Sequence, residues 1–195
     1  MTLDEMCMMA AREADRYDEF EKNGEGEYED DALHYFNVFR DGINEAYHAV
    51  SRQWAKPDTR ELVRVSKDGS VDLTEVYPDV YTIKQVLTAD GTQAVDYEFV
   101  TRTKIQTNAT PGSKVLLYYH YIPDRLTKLK DVPEFSDALV DPMVYVSLAV
   151  SRMWASEKKL DLANYWLQQH YGLLRDVVSS LKNPGSRRIP RRRFR

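Results

Sequence analysis

The hydrophobic periodicity of this chain changes twice, and those changes constrain its fold more than any motif does. Across residues 2–54 apolar side chains recur at steps of three, four and seven, the spacing of one helix face. Across residues 60–122 they alternate between turn signals, as strands do. Across residues 136–182 the helical spacing returns. The reading is an α+β fold: helices from both ends of the chain pack as a four-helix bundle, and a small antiparallel β-sheet or barrel domain is inserted between them.

The details follow from local chemistry. Thr2 and Glu5 have the spacing of a capping box, and Leu3, Met6, Met9, Ala10, Tyr17 and Phe20 extend a helix behind it. Asn23-Gly24-Glu25-Gly26-Glu27 breaks that helix. A second runs from Glu29 to Trp54, with Leu33, Phe36, Ile43, Ala46, Tyr47, Val50 and Trp54 on one face, and Lys56-Pro57 stops it. Asp68-Gly69, Asp90-Gly91 and Pro111-Gly112 mark turns, so four or five strands lie between residues 60 and 122, the last being Lys114–Ile122 ended by Pro123. Asp141-Pro142 opens a third helix with Val144, Ser147, Leu148, Ser151 and Trp154 on its face. A fourth spans Asp161–Leu181, and the small residues Ala149, Ser151, Ala155, Ala163 and Gly172 let these last two helices approach closely. The boundaries read as 1–56 for a first helical hairpin, 57–125 for the β insert, 126–183 for a second hairpin and 184–195 for a C-terminal arm.

Charge is distributed unevenly. Residues 1–31 hold twelve acids and three bases, whereas the last nine hold six arginines and no acid. Without those arginines the net charge of −4 becomes −10. Such polarity points to an interaction arm on an acidic body. The arm carries apolar anchors among its cations, namely Arg187, Arg188, Ile189, Pro190, Arg191, Arg192, Arg193, Phe194 and Arg195. Three readings are open for it: docking in a groove of a protein partner, contact with DNA phosphates, or a solubility tail. The N-terminus has neither the basic start nor the apolar run of a signal peptide, and no stretch reaches the roughly 20 apolar residues of a membrane span. The expectation is a soluble protein made in the cytoplasm, without membrane partners.

Catalytic chemistry finds little support. Glycine-rich phosphate loops and the Gly-x-Ser-x-Gly elbow are missing from the sequence. His34 and His48 lie on nearly one helix face but about 20 Å apart, too far to share a metal. His120, within Tyr118-Tyr119-His120-Tyr121, sits either on a stacking platform for single-stranded nucleic acid or among tyrosines that pack across strands and between subunits. Cys7 among Met6, Met8 and Met9 reads as core packing. The run Glu25, Glu27, Glu29, Asp30, Asp31 lacks the spacing of a calcium loop and suits a solvated helix start. No enzyme activity, metal or cofactor is expected.

The ordered set of segments resembles the head–tail connector, or adaptor, proteins of tailed bacteriophages, the tail tubular protein A type of podophages included. Val63-x-Val65-Ser66-Lys67-Asp68-Gly69-Ser70-Val71-x-Leu73 is similar to that family's first hairpin, and Val80-Tyr81-x-Ile83-x-x-Val86 to its next strand. Tyr119-x-Tyr121-x-Pro123-x-x-Leu126-Thr127 resembles the exit from the β insert. Val132-Pro133-Glu134-Phe135, followed by the Leu139–Trp154 helix and then by Leu162-Ala163-x-Tyr165-Trp166-x-x-x-His170-Tyr171, resembles the closing helical hairpin. The acidic linker Asn23–Asp31 and the dense arginine cluster depart from the family's pattern. The resemblance implies a virion protein, assembled in the host bacterial cytoplasm. It implies a homo-oligomeric ring, commonly of twelve subunits, set between the portal protein and the tail or nozzle proteins. Double-stranded DNA passes through such a ring transiently. In that setting Arg187, Arg188, Ile189, Arg191, Arg192, Arg193, Phe194 and Arg195 would dock on the portal, and Tyr118, Tyr119, Tyr121, Tyr165 and Trp166 are the candidates for contacts between subunits.

Overall fold

The computed structural model describes residues 1–23, 26–52, 58–75, 80–135, 137 and 139–182. Its class is α+β, with four α-helices and two antiparallel sheets of three strands each. Contacts divide the chain into two units, one formed by Met1–Ala55 with the chain from Asp124 onward, the other by Lys56–Pro123.

Helix α1 (Leu3–Glu13) starts as its sequence dictates. The Glu5 amide donates to Thr2 Oγ1 at 3.2 Å, and the Thr2 amide donates to Glu5 Oε2 at 2.8 Å, so both members of the capping box are made. Leu3, Met6, Cys7, Ala10 and Ala11 are buried. The helix ends well before Phe20, because Asp15 takes a left-handed conformation (φ +54°) that no continuing helix accepts. A single 3₁₀ turn, Tyr17–Glu19, then returns Phe20 to the core and leaves Tyr17 43% exposed.

Helix α2 (Asp30–Val50) buries Phe36, Phe39, Ile43, Ala46, Tyr47 and Val50, while Leu33 faces out. Phe39 follows Phe36 by three residues and belongs to the buried stripe that the sequence pattern left without it. Trp54 lies outside the described residues. Helix α3 (Met143–Ser156) is buried on all sides, from Val144 through Val150 without interruption and on to Met153 and Trp154. It is the helix against which α1, α2 and α4 (Leu160–Lys182) pack. The turn from α3 to α4 is tight, with Lys158 at φ +62°. Gly42 of α2 meets α3 at Ala149, where an added Cβ would stand 2.6 Å from the Ala149 Cα. Between α3 and α4, Ser151 Oγ donates to the Ala163 carbonyl at 2.8 Å. Gly172, expected to ease that same approach, has open space around it.

The segment returning from the β unit is fastened to the helices by buried polar groups. The Leu126 amide donates to Asn44 Oδ1 at 2.8 Å, and Asn44 Nδ2 donates to the carbonyls of Leu126 and Arg40. The Leu3 and Asp4 amides, left without partners by the helix start, donate to the carbonyls of Asp131 and Leu129. The Glu134 amide donates to the Tyr47 hydroxyl.

In the β unit, β1 (Asp58–Arg64), β6 (Lys114–Tyr121) and β3 (Val80–Thr88) form one sheet in that order. Strands β2 (Ser70–Asp72), β5 (Lys104–Thr107) and β4 (Tyr97–Thr101) form the other. The inner faces share one apolar cluster, including Val63, Val71, Ile83, Val86, Ile105, Val115, Leu117 and Tyr119. The Asp68-Gly69 turn therefore does not close a hairpin of neighbours. It carries the chain from one sheet to the other, with Gly69 at φ +80° and its amide donating to the Ser66 carbonyl. A tight reversal at Arg102-Thr103 makes β4 and β5 a hairpin.

Candidate interaction surface

The titratable side chains are dispersed rather than gathered. His34 is exposed beside the Tyr35 ring, His48 is half-buried beside Tyr47, and His120 is half-buried on β6. His170 is buried, its Nδ1 placed 2.8 Å from the Val144 carbonyl. Burial pushes its pKa below the ordinary value, against the raising effects of that hydrogen bond and of Glu45. Cys7 is buried in the helical core, and desolvation drives its thiol far upward, the opposite of a reactive cysteine. Among the described residues no three His, Cys, Asp or Glu side chains converge as a metal site would require. The described part of the acidic run serves the start of α2. The Glu27 amide donates to Asn23 Oδ1, Asn23 Nδ2 donates to Glu29 Oε1, and Asp30 and Asp31 occupy the first turn.

The sequence offered no signal for one polar cluster. Arg16 Nη2 donates to both carboxylate oxygens of Glu157, each at 2.9 Å, and its guanidinium lies over the rings of Trp154 (5.6 Å) and Tyr35 (5.8 Å). Lys159 completes it, 3.1 Å from Glu157 and over the Trp154 ring. Burial pushes Glu157 upward, but hydrogen bonds from Arg16 and Lys159 outweigh it and hold the carboxyl below its ordinary range. The cluster joins the exit of α1 to the turn between α3 and α4. Its partners lie 141 residues apart, beyond any spacing rule.

The five candidate interface aromatics fall into different settings. Tyr119 points into the β core at 1% exposure, its hydroxyl 3.2 Å from Glu61 Oε2. Tyr121 packs half-buried against the same core. Tyr118 lies on the opposite face of β6, its hydroxyl accepting from Arg60 Nη1 at 3.1 Å. Tyr165 is 54% exposed on α4, whereas its neighbour Trp166 is half-buried against the helical core, the two rings meeting edge to face. The alternation of a strand separates Tyr118 from Tyr119.

The exposed apolar side chains give α4 its character. At about 100° per residue, Leu162 and Tyr165 flank its buried stripe on one side, and Leu160 and Tyr171 flank it on the other. On that second side α2 and α4 both rest on α3 and leave a groove of about 390 Å³, walled by Leu148, Ala155, Leu167 and Leu174. In the β unit, Phe99 and Val100 are each 58% exposed on β4, an outer strand of its sheet. These two were not among the residues singled out from sequence, although side chains exposed on both faces of an edge strand mark a surface without a partner.

The arm Arg187, Arg188, Ile189, Arg191, Arg192, Arg193, Phe194 and Arg195 lies outside the described residues, beyond the end of α4 at Lys182. No described helix is long and apolar enough to cross a membrane. No protein-family model matches the chain, and no curated protein matches it.

Proposed function

We propose that this chain is a structural adaptor of a tailed-phage particle. In this reading its helices close as a four-helix bundle, and copies assemble head to tail into a ring of about twelve between portal and tail proteins. The ring extends the channel through which double-stranded DNA passes, and the Arg187–Arg195 arm fastens it to the portal. The observation that carries the reading is the set of exposed apolar side chains on both flanks of the buried stripe of α4. Leu160, Leu162, Tyr165 and Tyr171 are all exposed on the one helix that leads directly to the arginine arm. A solitary subunit gains nothing from such a surface, whereas aromatic side chains of this kind anchor protein interfaces. The overall charge suits a channel wall, since a body at −10 repels DNA and lets it pass.

Electron microscopy of the purified full chain, mixed with the portal protein encoded in the same genome, tests the reading. Rings stacked on the portal are expected, and they should be lost when residues 187–195 are removed. Failure to bind the portal at any protein ratio overturns it.

A further inference from the structure

We infer that the free protein holds its own arginine arm, residues 187–195, in a groove on the N-terminal segment lined by Met8, Tyr17, Phe20 and Glu21. The groove lies within the helical unit, has a volume of about 330 Å³, and is completed by Asp4 and Lys22. Its apolar residues come from α1, from the 3₁₀ turn at Tyr17–Glu19 and from Phe20 just after that turn. Tyr17 is the large exposed apolar residue there, at 43% exposure.

The rim explains which occupant fits. Asp4 is committed, accepting from Lys22 Nζ and from the Tyr28 hydroxyl. The Glu21 carboxylate in the lining is exposed, as is that of Asp18, which follows the lining residue Tyr17 in the chain, and neither engages a hydrogen bond or ion pair among the described residues. A guanidinium already rests 4.8 Å from the Tyr17 ring centroid, that of Arg12, so the ring is a surface on which arginine stacks. An occupant should therefore be strongly cationic, rich in arginine and provided with apolar anchors. The same chain supplies one: six arginines in nine residues with Ile189 and Phe194 between them, against a segment 1–31 with nine more acids than bases.

Reach does not prevent the contact. From Lys182 to the end of the chain are thirteen residues, about 43 Å when extended. A unit of this length has a radius of gyration of about 14 Å and is about 36 Å across, so the last residues of the arm, Phe194 and Arg195 among them, have the length to cross it, whereas Arg187 reaches about 17 Å from Lys182. Tethering favours the chain's own arm over a neighbour's, because it supplies an effective concentration on the order of 1 mM. In the adaptor reading the same arm then leaves the groove for the portal, and only that last step rests on the reading.

Trimming of the full chain by trypsin, followed by intact mass, reads the docking, since cleavage after the arginines requires a free arm. A peptide of residues 183–195 in the same buffer normalises the rate. Cleavage of the arm in the protein should be about tenfold slower than in the peptide, because a tether of about 1 mM acting on a roughly 0.1 mM contact keeps about nine arms in ten docked. The protection should disappear in Asp18→Asn/Glu21→Gln, which changes only exposed carboxylates, and near 0.5 M salt, where the Debye length falls to about 4 Å. Equal rates for peptide and protein overturn the proposal. So does protection that survives the double substitution, which would place the arm elsewhere, or protection that grows with protein concentration, which would assign the groove to a second copy's arm. Portal binding, measured separately, can fail or succeed without changing these outcomes.

Discussion

Asn44 shows how much one buried side chain can carry. It makes three hydrogen bonds, two of them to the backbone of Leu126, and is 2% exposed. Asn44→Ala leaves the amide and carbonyl of Leu126 without partners, so urea unfolding should show a loss of about 2–4 kcal/mol. Asn44→Asp keeps the acceptor for the Leu126 amide but sets a carboxylate against two carbonyls. Its deficit should be greatest at neutral pH and shrink as the carboxyl takes up a proton on the way to about pH 4. His170 gives a second pH dependence with a fixed sign. Its folded pKa lies below the ordinary value of about 6.5, so between the two the unfolded chain binds the extra proton. The stability it contributes is complete above about pH 6.5 and falls as the pH drops through that value toward the folded pKa. Unfolding midpoints measured across that range should slope for the wild type and flatten in His170→Gln. Neither residue's role was legible in the sequence. Asn44 was part of no pattern, and His170 entered through a resemblance, because both depend on backbone groups far away in the chain.

At the scale of elements, the helices were legible where caps and stops are local. The Thr2/Glu5 box and the Asp141-Pro142 start both follow from adjacent residues. The early end of α1 at Glu13 was not legible, since nothing in the residues around Asp15 requires its positive φ. The turns of the β unit were legible, but their consequence was not. Asp-Gly announces a reversal without saying whether the next strand joins the same sheet, and here β1 pairs with β6 while β2 pairs with β5. Two glycines show the same limit and make it measurable. Gly42 and Gly172 both stand inside helices, where alanine is favoured by about 1 kcal/mol. At Gly172 nothing opposes the change, so Gly172→Ala should raise the stability by about 0.5–1 kcal/mol. At Gly42 the new methyl would meet the Ala149 backbone at 2.6 Å, so Gly42→Ala should lower it by roughly 1–3 kcal/mol despite the better propensity. Removing the Ala149 side chain as well should not restore the loss, because the obstacle is its Cα. Thermal unfolding of the three variants decides between a propensity effect and a packing effect.

For the whole molecule, the question is which apolar residues belong to the fold and which to an assembly. Trp166 and Tyr165 are adjacent on α4 and chemically alike, yet Trp166 packs against the helical core while Tyr165 is 54% exposed. Phe99, on an edge strand of the β unit, is exposed like Tyr165. Truncation of Trp166 to alanine removes buried area and should cost up to about 3 kcal/mol, so any assembly defect it caused would be ambiguous. Tyr165→Glu and Phe99→Glu place a charge where water already reaches, and their unfolding midpoints should stay within about 0.5 kcal/mol of the wild type. If the chain forms rings on a portal, a glutamate buried between copies without a partner should abolish them, since removing an unpaired charge from water costs several kcal/mol at every interface of the ring. Sedimentation of each variant with the portal protein separates the cases. Loss of rings with unchanged stability assigns that residue to the contact between copies. Rings of normal size from both variants place the subunit contact away from both surfaces and remove the observation on which the adaptor reading rests. The two positions lie in different units, so a defect in one variant alone also tells which unit closes the ring.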